Sequence, residues 1–401
     1  MKIGVVGGGA AGFFSAIHAA YAGHKVKLFE KSPKVLSKVL VSGGGRCNVT
    51  HGTVFLNDLL KGYPRGSSFL KKVFSHFSTS DTMAWFESRG VLLKTEADLR
   101  VFPQSDDSQT IVNVLLDQAK KYDVEILTRH SIREILPENG RFLIKGEEKE
   151  EKVDRLIICS GGSNKKESYS FLAKLGHSII NPIPSLFTFN TPDAGLKLLK
   201  GISVPNGKIR FEGSKIHYSG PILITHWGIS GPAVLKLSAF GADWLYDKEY
   251  KTSALIKWDA NFTESGLKKV LNDFRQAHPK KNIQKNALFG LPSRLWQYLT
   301  SKAEIEENLI WDGISQKKIN KLIENLFNFS LIISGKTTFK EEFVTAGGVD
   351  LREIDANTME SKLIPGLFFA GEVIDVDGIT GGYNFQAAWS TGFLAGKSST
   401  K

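Results

Sequence analysis

Two glycine-rich segments at opposite ends of the chain carry most of the chemistry that the sequence predicts. The first, Gly7–Gly12, satisfies G-x-G-x-x-G directly after a run of strand-forming residues. In that context Gly7 permits a tight turn, Gly9 lets a pyrophosphate approach the backbone, and Gly12 lets the following helix pack against the strand. The phosphates would then meet free N–H groups at the N-terminus of a helix.

The second segment runs from Phe368 to Asn384, near the C-terminus. It contains a strand that ends in Gly371-Glu372, and Asp375 or Asp377 can then accept a hydrogen bond from a ribityl hydroxyl. The helix that starts at Gly381-Gly382 can direct its N–H groups at negative charge on the edge of a flavin ring. Because the two segments lie at the two ends of the chain, we expect them to close on one long ligand. FAD is a ligand of that kind.

A third glycine-rich turn, Ser42–Thr50, is expected to line the same ligand. Its glycines open a surface for close approach, Arg46 supplies a charge or a guanidinium plane, and Asn48 can hydrogen-bond ribityl, phosphate or flavin-edge atoms. Cys47 has no second cysteine nearby in the sequence, so the pattern does not favour a dithiol mechanism. It is interpreted mainly as a packed loop residue.

Catalytic residues are poorly specified by the sequence. The candidates are His226, which lies in a glycine-rich turn, His51, which follows the third glycine-rich turn, and Arg100 in Arg100–Pro103. A structural role is the stronger alternative for each of them. No Ser/His/Asp arrangement and no metal-ligand cluster emerges, so we expect no metal.

The elements that must position these residues begin with a βαβ unit. Residues 2–6 and 25–29 are predicted strands, the helix between them runs from Ala10 to Ala22, and Glu30 at the end of the second strand can accept from ribose hydroxyls. Further on, the sequence predicts helices at 69–88 and 107–121, a type I′ hairpin at Asn139-Gly140, and a strand from Val153 to Cys159 before Gly161.

From about Pro184 the pattern changes to short strands, among them 215–218 and 222–225, and then to amphipathic helices at about 263–277, 292–303 and 315–328. The glycine-rich, strand-like pattern returns after Phe343. The fold class predicted is therefore α/β: a Rossmann-like, two-lobed FAD-binding domain of the glutathione-reductase kind, with an inserted β-rich domain and a small helical domain. The predicted boundaries are 1–183 plus 341–401 for the FAD-binding domain, 184–261 plus about 329–340 for the β-rich domain, and 262–328 for the helical domain.

Composition limits the remaining possibilities. The 401 residues include two cysteines and carry a net charge of +11, which favours anionic ligands. The basic residues are scattered and are not interleaved with aromatic residues, which argues against nucleic acid as a partner. We find no signal peptide and no apolar run long enough to span a bilayer, so we expect a cytoplasmic protein without a membrane partner. The oligomeric state is not predicted.

The motifs together resemble a bacterial family of FAD-dependent oxidoreductases, described as aminoacetone-oxidase-like or BaiN-like. The resemblance is carried, in the family's order, by Gly7–Gly12, Ser42–Thr50, Arg100–Pro103, Thr225–Pro232, Thr345–Val349, Thr358–Lys362 and Gly371–Asn384. It implies flavin contacts at Gly7, Gly9, Gly12, Glu30, Gly44, Arg46, Asn48, Gly371, Asp377, Gly382 and Asn384. The neighbouring residues Ala10, Ala11, Lys31, Cys47, Gly161, Glu372 and Tyr383 complete the predicted cofactor-binding set.

The chain departs from the family pattern after Ser160–Ser163, where many members have a longer loop, so the substrate does not transfer by analogy. We expect an FAD-dependent oxidoreductase, oxidase or reductase, that acts on an unidentified small molecule by hydride transfer to or from flavin N5. No second G-x-G-x-x-G follows a strand, so NAD(P)H, if used, would bind transiently beside the flavin. The alternatives are a flavoprotein that acts on or docks to RNA, and a flavin-binding regulatory protein.

Overall fold

The computed structural model of the protein describes residues 1–146, 150–337 and 344–401. The chain divides into two compact units, which we call the first unit, 1–185 with 339–401, and the second unit, 186–338. The boundary predicted at 340 to 341 lies outside the described residues. The separation of the inserted segment into a β-rich and a helical domain stays a prediction.

Short strands alternate with helices along much of the described chain. The strands are, in chain order, β1 Lys2–Val6, β2 Lys25–Phe29, β3 Thr50–His51, β4 Leu93–Thr95, β5 Arg100–Pro103, β6 Glu125–Leu127, β7 Glu134–Glu138, β8 Arg141–Lys145, β9 Glu150–Val153, β10 Arg155–Ile158, β11 Ile179–Ser185, β12 Thr188–Asn190, β13 Ser203–Phe211, β14 His217–Ile224, β15 Gly228–Ser230, β16 Thr252–Lys257, β17 Phe329–Ile333, β18 Gly335–Thr337, β19 Val344–Val349 and β20 Leu367–Phe369.

The α-helices of the same residues are α1 Ala10–Tyr21, α2 Ser37–Gly45, α3 Leu56–Leu60, α4 Ser67–His76, α5 Thr79–Glu87, α6 Gln109–Lys121, α7 Ser170–Lys174, α8 Ala194–Lys197, α9 Pro232–Phe240, α10 Ala242–Asp247, α11 Glu264–Ala277, α12 Ser293–Lys302, α13 Gln316–Phe327 and α14 Tyr383–Ser398. Short 3₁₀ helices occupy Lys166–Tyr169, Trp311–Gly313 and Leu351–Glu353. Within the described ranges, no helix has the length and apolar character needed to cross a membrane.

A parallel sheet in the order β20-β10-β1-β2-β6 forms the centre of the first unit. Its central strand β1 is apolar, with Ile3 and Val5 fully buried, as expected for a parallel strand covered on both faces. The predicted βαβ start is confirmed by β1, α1 and β2. The α/β, Rossmann-like prediction is confirmed with it.

The helix predicted at 69–88 is in fact two helices, α4 and α5. Ser78 interrupts it because its hydroxyl accepts a hydrogen bond from the Asp81 N–H, while the Asp81 carboxylate accepts one from the Ser78 N–H at 2.7 Å. This reciprocal capping box starts a new helix. The prediction followed the apolar spacing and missed the local cap.

The hairpin prediction is confirmed, and the strand prediction after it needs one correction. Asn139 and Gly140 have φ of 50° and 75° between β7 and β8, as a type I′ turn requires. The predicted strand 153–159 is split, because Val153 ends β9 of the antiparallel meander and β10 of the parallel sheet begins at Arg155. Asp154 makes the junction, and its carboxylate accepts from the Lys2 N–H at 2.7 Å.

The second unit contains an antiparallel sheet in the order β17-β16-β13-β14-β15-β12-β18. Alternating residues of these strands share one buried cluster with the apolar faces of α11, α12 and α13, including the fully buried Trp258, Trp296 and Trp311. The predicted helices are confirmed to within a few residues. Two predicted strand pieces, 215–218 and 222–225, form the single strand β14.

Candidate cofactor site

The first glycine-rich turn has the geometry that its sequence predicts. Gly7 has φ of 111°, and a Cβ on it would lie 2.1 Å from the Cys159 carbonyl oxygen. A Cβ on Gly12 would lie 1.8 Å from the Gly7 carbonyl oxygen. By contrast, a Cβ on Gly9 would meet no atom within 4 Å. Two of the glycines therefore serve packing, and Gly9 faces open space where a ligand can approach.

Two helices begin at this side of the first unit without a side-chain cap. Gly9 precedes α1, which starts at Ala10 and Ala11, and Gly382, with φ of 91°, precedes α14. Both N-cap residues are glycines, so neither N-terminus is capped by the side chain of its own N-cap residue. The first N–H groups of a helix carry partial positive charge, so both ends can bind an anionic group.

Helices α1 and α14 are parallel and in close contact. A Cβ on Gly392 would lie 2.7 Å from the Ala11 carbonyl oxygen, and one on Gly396 would lie 2.5 Å from that of Ser15. From this register α14 begins about eight residues before α1, or roughly 12 Å along the common axis at 1.5 Å per residue. The two N-termini thus face the same way at an offset that suits an extended dinucleotide, with pyrophosphate at one and a ring at the other.

Glu30 lies directly beside the first turn. Its carboxylate accepts hydrogen bonds from the N–H groups of Gly8 and Ser32, each at 2.7 Å. These bonds hold the carboxylate at the end of β2, the position predicted for a ribose partner. Lys31, the next residue, has an exposed side chain.

The third glycine-rich turn breaks α2 and approaches the start of α14. Gly44 adopts a left-handed conformation with φ of 69°, and a Cβ on it would meet no atom within 4 Å. When its amide is oriented to satisfy its neighbours, Asn48 accepts from the Gly382 N–H at 3.0 Å and donates to the Thr50 carbonyl oxygen. Asn48 therefore links this turn to the N-terminus of α14.

Arg46 and Cys47 differ in accessibility. The Arg46 guanidinium lies 2.7 Å from the Glu96 carboxylate and 3.9 Å from the centroid of the Phe102 ring. Its hydrogen bond to Glu96 raises the pKa of Arg46. Cys47 is fully buried, and burial raises the pKa of its thiol to about 12. A thiol in that environment stays protonated at neutral pH and is a poor nucleophile.

The C-terminal segment packs its glycines against the first turn. A Cβ on Gly371 would lie 2.7 Å from the Ala11 Cβ. Glu372 forms an ion pair with Lys38 at 2.8 Å. The Glu372 carboxylate also lies close to Gly162, because a Cβ on that glycine would be 2.7 Å from it. Gly161 itself, with φ of 75°, faces open space. The structure thus brings Gly161, Gly371 and Glu372 together.

Asp377 and Asn384 have intramolecular partners. The Asp377 carboxylate is fully buried, accepts from Arg65 Nε at 2.6 Å and from the Ser185 hydroxyl at 2.6 Å, and forms an ion pair with the Arg65 guanidinium. Asn384 accepts from the Gly378 N–H and donates to the Gly378 carbonyl oxygen, both at 2.8 Å. These bonds stabilise the loop before α14, and direct contact of either side chain with a cofactor stays a prediction.

His51 and Arg100 lie opposite each other on the paired strands β3 and β5. A Cβ on Gly381 would lie 3.8 Å from both the His51 Cδ2 and the Arg100 Cγ, and the His51 ring lies 4.7 Å from the Tyr383 ring. His51 Nδ1 lies 3.3 Å from the Thr53 backbone nitrogen and 2.6 Å from the Thr53 hydroxyl, so it has a hydrogen-bond partner in either tautomer. The Cδ2 atom of the ring lies on the side of the turn before α14.

The role of His226 stays a prediction. His226 lies in the second unit on the turn between β14 and β15, with an exposed side chain and its ring 4.3 Å from that of Trp227. Across the described ranges, no cluster of three or more His, Cys, Asp or Glu side chains is suited to a metal ion.

Sequence reasoning missed two residues near this site. Arg65 pairs with Asp377 across 312 positions of sequence, and no local pattern marks it. Thr345 is fully buried, its hydroxyl has no hydrogen-bond partner among the described residues, and a Cβ on Gly162 would lie 2.5 Å from that oxygen. Its place in Thr345–Val349, before two glycines, is the only signal that could have drawn attention to it.

Comparison with known proteins identifies the family. Residues 1–398 match the family described as HI0933-like protein Rossmann domain. The chain belongs to this family. It is 30% identical to the ribosomal RNA dihydrouridine synthase of Escherichia coli, with 96% of this chain and 95% of that protein covered. It is 27% identical to the 3-dehydro-bile acid delta(4,6)-reductase of Clostridium scindens, with coverage of 100% and 99%.

Among solved structures, the fold is similar to that of the 3-ketosteroid-delta4-(5alpha)-dehydrogenase of Rhodococcus jostii. The TM-score is 0.54 at 15% identity, over 100% of this chain and 97% of that one. At this identity the likeness concerns the fold. Together with the family and the relatives, it confirms the prediction that the chain is an FAD-dependent oxidoreductase of the BaiN-like kind.

Proposed function

We propose that this FAD-dependent oxidoreductase is a reductase of carbon–carbon double bonds that are conjugated to a carbonyl group. The names of the two relatives share this chemistry, because dihydrouridine is uridine with one such ring bond saturated, and a 3-dehydro bile acid with delta(4,6) unsaturation is a conjugated ketone. The observation that carries the proposal is the parallel pair of uncapped helix N-termini, with His51 and Arg100 beside the second one.

The proposed cofactor contacts follow from this geometry. Gly9, with the first N–H groups of α1, would hold the pyrophosphate, and Glu30 would accept from the adenosine ribose. Gly44, Gly161 and the N-terminus of α14 would line the ribityl chain and the flavin ring. The flavin, when bound, supplies the hydride that is added to one carbon of the double bond.

The other carbon of the double bond must receive a proton. We assign this proton to the imidazolium form of His51, which would release it from Nε2 and become a neutral ring. The neighbouring Cδ2 lies beside the turn at Gly381, and the Thr53 hydroxyl, 2.6 Å from Nδ1, can accept from the Nδ1–H that remains. General acid catalysis of this kind contributes about 10²–10⁴ in rate. His51→Gln should therefore retain the flavin spectrum and slow the reduction of substrate by about a hundredfold.

The oxidative half-reaction tests this proposal. The holoenzyme is reduced with dithionite under anaerobic conditions and mixed with 2-cyclohexenone, a 4-en-3-one steroid or an RNA hairpin with an unpaired uridine; cyclohexanone is the saturated control. We expect at least one conjugated compound to reoxidise the flavin with formation of its saturated product. If only oxygen reoxidises the flavin, the protein is not a reductase of this class.

The reductant is tested separately. NADH and NADPH are proposed as transient donors, in keeping with the sequence prediction. Anaerobic bleaching of the flavin by one of them supports this. If neither NADH nor NADPH bleaches the flavin, the enzyme must use another electron donor. The reductase activity itself is then judged by the oxidative half-reaction.

A second candidate function is reduction of a uracil base in RNA, and the charge distribution favours it. Residues 186–338 contain 21 of the 52 basic and 13 of the 41 acidic residues, and thus eight of the eleven excess positive charges. A concentration of positive charge is the electrostatic requirement for binding a phosphate backbone. The RNA arm of the oxidative half-reaction separates this candidate from a small-molecule reductase.

A further inference from the structure

One face of the second-unit sheet carries basic residues and no acidic ones. We call it the outer face and define it by the exposed or half-exposed positions of four adjacent strands: Lys208, Arg210, His217, Ser219, Ser253, Leu255, Lys257, Ser330 and Ile332. The alternate positions of the same strands point into the core and are buried, as Ile209, Ile256 and Leu331 show. One side of the sheet thus faces the core and the other faces solvent.

The positive charges of the outer face lie side by side. Lys208 is opposite Lys257 across β13 and β16, and Arg210, two residues further along the same face, is opposite His217 across β13 and β14. Side chains directly opposite on antiparallel strands have Cβ atoms about 4.5–5.5 Å apart, and like charges there are destabilising. Such an arrangement costs stability unless something compensates the charge.

The described residues supply little compensation. Lys208 and Arg210 form no ion pair with a described carboxylate, and Glu212, which follows the end of β13, is in no described ion pair either. Lys257 donates to the Phe262 carbonyl oxygen at 2.9 Å and lies 4.2 Å from the centroid of the Phe327 ring. Burial, and then the neighbouring charge of Lys208, lower the pKa of Lys257.

Some other lysines of the second unit are paired. Lys268, Lys318 and Lys321 form ion pairs with Glu264, Glu306 and Glu304 on the helices and the loop between them. Lys208 and Arg210 differ from these three lysines, because neither has an ion pair with a described carboxylate and both lie on one face of the sheet. An external anion is the partner that would compensate their charge.

We propose that the outer face is a docking surface for the phosphate backbone of a folded RNA. The proposal rests on the RNA form of the proposed function, and it assigns the positioning of the RNA to residues other than those at the cofactor site. None of the outer-face positions named above is aromatic apart from the His217 imidazole, so base stacking is not what this face mainly offers. Folded, A-form RNA is recognised mainly through its backbone and shape, which matches the cations and hydroxyls on this face.

The test compares two double variants of the full-length holoenzyme. Lys208→Gln with Arg210→Gln removes two outer-face charges; Lys268→Gln with Lys321→Gln removes two ion-paired charges from helices of the same unit. Binding to a fluorescent RNA hairpin is measured by anisotropy between about 50 and about 200 mM salt, the range in which phosphate contacts are lost. Thermal melting confirms that each variant is folded.

We expect the slope of log K against log salt to fall by about two in the outer-face variant, by about one in Arg210→Gln alone, and by much less in the helix variant. Equal slopes in both double variants, or no binding of the hairpin at low salt, would overturn the proposal. Polyglutamate is included as a probe for an acidic protein partner. If the wild-type protein binds polyglutamate as tightly as it binds the RNA hairpin, the proposal is also overturned.

The outcomes separate docking from catalysis. Reduction of a small conjugated ketone by the outer-face variant at the wild-type rate, with RNA binding lost, supports docking and leaves the reductase function intact. Retained RNA binding by the wild-type protein with no reduction of any conjugated compound would remove the proposed activity and leave the docking surface standing.

Discussion

The two units of the molecule differ in one buried ion pair and in the excess of positive charge. Outside residues 186–338, the chain has 31 basic and 28 acidic residues, and within the first unit Arg65 and Asp377 form a buried pair. The second unit holds most of the excess positive charge, and its described ion pairs are mostly on the surface, as at Lys268 and Glu264. The buried Arg65–Asp377 pair holds the loop before α14 in place, whereas the second unit has a surplus of positive charge without such a buried pair among its described residues.

The largest effect is expected at the buried pair. Arg65→Met should lower the free energy of unfolding by roughly 3–5 kcal/mol, because it leaves the fully buried Asp377 carboxylate without its counter-charge. Urea unfolding measures this. Adding Asp377→Asn to the same chain should restore part of the loss; no restoration would mean that Arg65 stabilises the loop through packing alone.

The next effect is pH dependence in the first unit. Burial lowers the pKa of His18 on α1 to about 4 from 6.5. Below pH 6.5 the unfolded chain therefore binds a proton at His18 that the folded chain does not bind. The free energy of unfolding should be unaffected by His18 above about pH 6.5 and should fall, by up to about 3 kcal/mol, as the pH drops towards 4. Urea titrations across this window, compared with His18→Phe, measure the contribution; an equally steep decline in the variant would assign it to other groups.

A smaller effect, confined to the ligand, is expected at Gly9. A Cβ at this position meets no protein atom within 4 Å, so Gly9→Ala should leave the stability of the apoprotein unchanged. It should weaken FAD binding about tenfold, or about 1.4 kcal/mol, because the methyl group occupies the space proposed for the pyrophosphate. Titration of apoprotein with FAD measures the affinity. An unchanged affinity for FAD would mean that the pyrophosphate does not bind at the N-terminus of α1.

The smallest effect is expected for an exposed pair of the second unit. Lys268→Gln breaks a helical ion pair with Glu264 whose two side chains are more than half exposed, and should change the free energy of unfolding by less than about 0.5 kcal/mol. The same urea titration applies. If Lys268→Gln lowered the free energy of unfolding as much as Arg65→Met does, the exposed pair of the second unit would be as important for stability as the buried pair of the first unit.

Local patterns predicted the parts of the first unit that depend on neighbours in sequence. Gly7–Gly12, the hairpin at Asn139-Gly140 and the strands around Glu30 each require particular residues at short spacing, so the sequence alone identified them. The parts that depend on distant neighbours were not accessible. Arg65 was missed because its partner Asp377 is 312 positions away.

The candidate site shows the same limit. His51 and Arg100 were separate candidates in the sequence, and only the pairing of β3 with β5 brings them together beside Gly381. In the second unit, apolar spacing predicted α11, α12 and α13 within a few residues. It carried no information on which side of the sheet Lys208 and Lys257 share, because that depends on strand register.

The central claim is that the first unit holds a dinucleotide across two parallel helix N-termini. The most direct measurement is identification of the cofactor released by heat from the purified protein, with its stoichiometry. The account predicts one FAD per chain in wild type and a loss of FAD on dialysis of Gly9→Ala. A protein that retains FMN, or that carries no flavin and binds none on titration, would contradict it, since neither result leaves a pyrophosphate for the N-terminus of α1 to bind.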